Sequence, residues 1–146
     1  MAMFDSILVV CTGNICRSPI AERRFRQLLP GKKIDSAGAN ARVNHPADDL
    51  AVTTARSNAL SLDGHKGRQF TKKIGRQYDL ILVMEKKQIE YVTHIATECR
   101  GKTMLLGHWL DQKEIPDPYQ KSQEAFNFVY QLIDQACKSW AIKLGG

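Results

Sequence analysis

Ile7-Leu8-Val9-Val10-Cys11-Thr12-Gly13-Asn14-Ile15-Cys16-Arg17-Ser18-Pro19-Ile20-Ala21-Glu22 is the stretch that decides the fold of this 146-residue chain. Ile7 to Val10 is a short apolar run rich in β-branched residues, the pattern of a parallel strand buried on both faces. Cys11 closes the run, and five residues separate it from Arg17-Ser18. A helical pattern then begins, with Pro19 suited to its first turn. A strand, a tight loop and a helix start together make a phosphate cradle, because loop amides converge and the helix dipole adds a positive field.

The residue types in the loop fit that chemistry. Gly13 and Asn14 tolerate the positive φ that inward-curling amides require. Arg17 carries a planar fork able to hold two phosphate oxygens at once. Cys11 lies beneath the amides, where they, Arg17 and the Ser18 hydroxyl favour a thiolate nucleophile. A lone cysteine at a strand end is ordinarily a small packing residue; the surrounding pattern is what turns Cys11 into a candidate. Expelling an alkoxide or phenoxide also needs a proton donor. Asp117, stiffened by Pro116 and Pro118, is the best placed, and Tyr119 is a candidate wall for an aromatic substrate.

Working outward, Ala21, Phe25, Leu28 and Leu29 keep helical spacing until Pro30-Gly31 stops them. Lys33 to Ser36 reads as a brief strand near an edge, closed by Ala37-Gly38. Residues 39–49 form a loop, and Pro46 with Asp48-Asp49 opens a helix reaching about Leu60. Gly64 to Gln69 is loop-like, and Thr71 to Gln77 a short helical turn. Leu80 to Met84 is the third strand. Glu85 to Ala96 follows as a helix with Ile89, Val92 and Ile95/Ala96 inward. Thr103 to Leu106 is the fourth strand, ending at Gly107. The last helix carries Phe126, Val129, Tyr130, Ile133, Cys137, Trp140, Ala141 and Leu144 on one face and ends at Gly145-Gly146. Trp109 and Trp140 read mainly as core. Alternating strands and helices predict an α/β fold: one three-layer, doubly wound domain over residues 1–146 around a four-stranded parallel sheet. The segments after its strands then share the carboxyl edge where ligands bind.

Composition narrows the function classes. Hydrophobic content of 43% and charged content of 25% are ordinary globular values. No run approaches a membrane span. Met1 to Ser6 has neither a basic n-region nor a cleavage signature, which predicts a cytoplasmic location. The four cysteines lack framework spacing and the four histidines are scattered, so no disulfide scaffold and no metal site is expected. The net charge of +6 is spread along the chain, which favours an anionic polypeptide partner over nucleic acid.

Cys11 to Pro19, together with Ser36-Ala37-Gly38 and Asp117-Pro118-Tyr119, resembles the low-molecular-weight protein-tyrosine phosphatases over essentially the whole chain. Gly107-His108-Trp109 and Glu114 to Tyr119 resemble more specifically the bacterial members paired with tyrosine autokinases that control capsule or exopolysaccharide export. The resemblance implies that Cys11 becomes a phosphocysteine, that Arg17 clamps the phosphate, and that Asp117 protonates the leaving oxygen and then activates water. Thr12, Gly13, Asn14, Ile15, Cys16 and Ser18 would complete the phosphate loop. Ser18 would assist the thiolate, and Ser36 would support the loop through Asn14. It further implies a reversible disulfide between Cys11 and Cys16 under oxidation, a structural role for His65 and Arg68-Gln69, and no cofactor. The chain departs from the family at Asn40 and Arg42, where relatives often have glycine and an apolar residue. These two, with Tyr119, border the expected substrate cleft, and Arg42 could attract an acidic or multiply phosphorylated peptide.

Three rivals share the loop chemistry. A thiol-dependent arsenate reductase needs two further, closely spaced cysteines, and Cys99 and Cys137 are far apart in sequence. Protein-arginine phosphatases carry threonine where Ile15 stands. A phosphocysteine carrier of a sugar phosphotransferase system would need neither Arg17 nor Asp117.

Overall fold

A computed structural model describes residues 4–145. Met1 to Met3 and Gly146, and the readings that rest on them, lie outside the described residues. Four parallel strands, β1 (Ser6–Cys11), β2 (Lys33–Gly38), β3 (Leu80–Val83) and β4 (Thr103–Leu105), stand in the order β2-β1-β3-β4. The chain moves from β1 to one side, then returns past it to β3, so the order reverses at the β1/β3 crevice.

The strands are buried on both faces, and their alternation divides the core in two. Ile7, Val9, Cys11, Leu80 and Leu82 face a layer formed by α1 (Arg17–Leu28), α2 (Asp49–Ser57) and α5 (Gln123–Lys143). Leu8, Val10, Ile81 and Val83 face the other layer. That layer comprises α3 (Lys72–Gly75), α4 (Lys86–Ile95) and a 3-10 segment, Thr97–Lys102. The three-layer, doubly wound arrangement is therefore the observed one, with β2 at an edge. Helix starts follow side-chain caps: Asp48 accepts from the Leu50 amide at α2, and Ser122 from the Ala125 amide at α5. A reciprocal pair, Glu85 with Gln88, opens α4.

The structure corrects several boundaries. α1 begins at Arg17, which places Pro19 in its first turn, where amides have no intrahelical partner. β2 continues to Gly38, and α2 stops at Ser57. Ile95 is exposed, while Val92 and Ala96 are fully buried in the core on that side. Trp109 is 42% exposed. It packs edge-on against buried Trp140, with ring centroids 5.4 Å apart, under the Lys143 ammonium.

Candidate active site

Cys11 ends β1, and the next residues wrap back into α1. Five consecutive carbonyls of this loop are tied outward. The oxygens of Cys11, Thr12, Gly13 and Ile15 accept from the amides of Ala39 (2.8 Å), Asn40 (2.9 Å), Arg42 (2.9 Å) and Asp48 (2.9 Å). The Asn14 oxygen lies 2.6 Å from His65 Nε2, which must donate because a carbonyl only accepts. With the carbonyls held outside, the loop amides turn inward. Among the described residues, no amide from Gly13 to Arg17 donates to a backbone acceptor outside a helix or strand. Cys16, at the N-cap of α1, supplies no side-chain cap either. Amides left without an acceptor at a helix start are the donors an anion needs.

Asn14 is the keystone. Its φ of 59° places it in the left-handed region. Its side-chain amide donates to Ser18 Oγ (2.8 Å) and Ser36 Oγ (3.0 Å), while its oxygen accepts from the Arg68 amide (2.9 Å). Because Ser18 Oγ receives that bond, its own proton is free for Cys11 Sγ, 2.9 Å away. Ser36 in turn donates to the buried Glu22 carboxylate at 2.8 Å, and Arg23 Nε reaches Glu22 at 2.9 Å. Burial lowers the His65 pKa from its ordinary value, which keeps the ring neutral beneath the loop. Cys16 is moved the other way. Burial pushes its thiol far above the usual range, with the charges of Asp48, Cys11 and Asp117 adding, which favours its protonated form. The four cysteines are all free in the structure.

Arg17 is fully buried and fixed from two directions. Its Nη1 donates to Glu85 Oε1 and to the Ile115 carbonyl, both at 2.7 Å. Its Nη2 lies 3.5 Å from Thr12 Oγ1 and 3.7 Å from Asp117 Oδ2. One edge of the fork is thus committed to the scaffold and the other is turned to the cavity. Thr12 is itself held by Gln88 Nε2 at 3.0 Å, and Gln88 Oε1 accepts from the amides of Met84 and Glu85. The segment bearing Asp117 is docked on the sheet: Ile115 N–H donates to the Met84 carbonyl, and Glu114 accepts from the Lys86 amide at 2.7 Å. Asp117 Oδ1 accepts from the Tyr119 amide at 3.0 Å.

These groups line a cavity of about 420 Å³, with the phosphate-loop residues at its base and Asn40, Arg42, Asp117 and Tyr119 around it. Every residue expected at the site is therefore at or directly behind it. Sequence reasoning missed Glu85, Gln88 and Glu22. Among the described residues no group of three or more His, Cys, Asp or Glu is placed to hold a metal.

Residues 6–145 match the family described as low molecular weight phosphotyrosine protein phosphatase. The low molecular weight protein-tyrosine-phosphatase Etp of Escherichia coli K12 is 58% identical over 141 residues, covering 97% of this chain and 95% of Etp. Wzb of the same strain is 51% identical over 139 residues, with 95% of each chain covered. The crystal structure of the tyrosine phosphatase Wzb from Escherichia coli K30 in complex with sulphate superposes with a TM-score of 0.96 at 63% identity. That match covers 97% of this chain and 99% of the other.

Proposed function

The chain belongs to the low molecular weight phosphotyrosine protein phosphatase family, and we propose that residues 1–146 act as one domain hydrolysing protein phosphotyrosine through a phosphocysteine on Cys11. One observation carries the assignment of roles. Cys11 Sγ lies 2.9 Å from Ser18 Oγ at the start of the loop, while Arg17 and Asp117 meet 3.7 Å apart at the same cavity.

The steps follow from that placement. The loop amides and the free edge of Arg17 hold the phosphoryl oxygens, and the Cys11 thiolate attacks phosphorus in line with the tyrosyl oxygen. The P–O bond to tyrosine breaks as the S–P bond forms, and Asp117 gives its proton to the departing phenolate. Water then attacks phosphorus, Asp117 takes its proton, and the S–P bond breaks. The Ser18 hydroxyl steadies the returning thiolate. Arg17 supports both steps by matching the charge spread over the equatorial oxygens. The committed Nη1 bonds keep the fork from swinging between them.

The substrate class rests on the wall beside the phosphate. Ile15 offers an apolar side chain there, which suits an aromatic ring rather than the guanidinium of phosphoarginine. Arsenate relay finds no support, because Cys99 and Cys137 belong to hydrophobic cores on opposite faces of the sheet. A carrier that stopped at the phosphoenzyme would have no use for Asp117. The partner that best fits the family resemblance is a bacterial tyrosine autokinase of capsule or exopolysaccharide export. Among the described residues no helix is long and apolar enough to cross a membrane. We propose a cytoplasmic location, from which this chain would meet a membrane-bound kinase.

Pre-steady-state hydrolysis of an aryl phosphate tests the roles. Cys11→Ser should abolish turnover, and Asp117→Ala should lower kcat by about 10²–10⁴-fold while substrate still binds. Phosphotyrosine should be cleaved far faster than phosphoarginine. Robust activity in Cys11→Ser would overturn the assignment.

A further inference from the structure

The hydrolytic mechanism leaves one charge of the cavity unused. Arg17 faces the carboxylates of Glu85 and Asp117. Arg42 has no such partner: among the described residues no carboxylate oxygen lies within 4.0 Å of its guanidinium. Its backbone is nevertheless fixed. The Arg42 amide donates to the Gly13 carbonyl at 2.9 Å, and its Cγ lies 3.9 Å from where a Gly13 Cβ would stand. Behind it, a Cβ on Gly67 would come within 2.1 Å of the Arg42 carbonyl oxygen, so the chain cannot recede.

The side chain ends on a neutral group. Arg42 Nη1 donates to Tyr119 Oη at 2.9 Å, and the guanidinium carbon lies 5.7 Å from the ring centroid. One of the five N–H donors of a guanidinium is used there. The others are exposed beside the cavity that takes the phosphate.

We infer that Arg42 selects phosphotyrosines flanked, one or two residues away, by an acidic side chain: a carboxylate or a second phosphate. This rests on the phosphotyrosine reading above. Successive residues of an extended peptide are about 3.3–3.6 Å apart, so such a group reaches the rim while the phosphotyrosine occupies the cavity. The planar fork binds either oxyanion in two-point fashion. Tyr119 holds the fork ready through its ring face, and releasing its hydroxyl breaks no ion pair. The net charge of +6 draws acidic segments toward the protein from a distance. Arg42 touches the flanking residue rather than the reacting atoms, so it sets specificity and is not a catalytic residue.

The test compares matched phosphotyrosyl peptides with neutral, glutamate or second-phosphotyrosine flanks, at low and high salt. Wild type, Arg42→Leu, Arg42→Lys and Arg42→Glu are assayed for kcat/KM. For wild type the acidic-to-neutral ratio should be about 5, the upper end for an exposed ion pair, and should shrink at high salt. It should approach one in Arg42→Leu, fall between in Arg42→Lys, and drop below one in Arg42→Glu. Preference for the glutamate peptide assigns the site to carboxylates as well as phosphates. Preference confined to the doubly phosphorylated peptide assigns it to phosphates alone. An unchanged ratio in both Arg42→Leu and Arg42→Glu would overturn the inference. Wild-type turnover with no acidic preference would do the same while leaving the phosphatase reading intact. Failure of wild type on every phosphotyrosyl substrate would instead defeat that reading.

Discussion

Replacing Asn14 by alanine should destabilise the protein by about 3–5 kcal/mol. The side chain makes three bonds, donating to Ser18 and Ser36 and accepting from the Arg68 amide, all at 2.8–3.0 Å. Each is worth about 1 kcal/mol net, and the groups left behind are buried, which raises the cost. Alanine at a φ of 59° adds roughly 1 kcal/mol or more. For a chain of this length the sum corresponds to a fall in Tm of roughly 10–15 °C. Glycine at the same position loses the bonds but tolerates the backbone, so Asn14→Gly should be about 1 kcal/mol milder than Asn14→Ala. Both variants free the Ser18 hydroxyl from its donor. Hydrolysis should therefore drop by about 10²-fold, the penalty expected when a catalytic group shifts by an ångström. Thermal unfolding by circular dichroism and aryl phosphate hydrolysis on the same samples measure both effects. An Asn14→Ala variant within 3 °C of wild type by that scale, or an Asn14→Gly variant less stable than Asn14→Ala, would refute the account of how the loop is held.

Two further outcomes follow from groups behind the loop. His65 is held below its ordinary pKa of 6.5 by burial. The unfolded chain thus binds a proton that the folded one resists, and stability is lost as pH falls below about 6.5 toward the folded-state value; Tm between pH 7.5 and 5.5 should decline more steeply for wild type than for His65→Gln. Gly67→Ala forces the Arg42 carbonyl to move and should cost about 1–3 kcal/mol, whereas Gly31→Ala, with nothing within 4 Å, should leave Tm nearly unchanged.

The sequence by itself determined the strand, loop and helix around Cys11, and with them the proposal of a nucleophile and a phosphate clamp. That was possible because a phosphate loop is a local object. Its residues lie within one short stretch, and the backbone preferences of Gly13, Asn14 and Pro19 are properties of single residues. The four strands were legible for the same reason, as apolar runs bounded by turn signals. Asp117 was legible through its flanking prolines and its place after the fourth strand.

What only the tertiary structure decided are contacts between distant segments. Glu85, at the start of the helix that follows the third strand, anchors Arg17 at 2.7 Å across 68 positions of sequence. Gln88, in the first turn of that helix, is buried against Thr12. Glu22 carries a charge into the layer behind Ser36, where Ser36 and Arg23 stabilise it. The pairing of Arg42 with Tyr119 joins residues 77 positions apart. A hydrogen bond of this kind depends on where two elements lie once the sheet has formed, and no local periodicity encodes that distance. The loop amides could be expected to bind phosphate from the motif alone. That their carbonyls are restrained by residues 39–48 and His65, and that Arg42 comes to rest at the rim of the cavity, is set by packing.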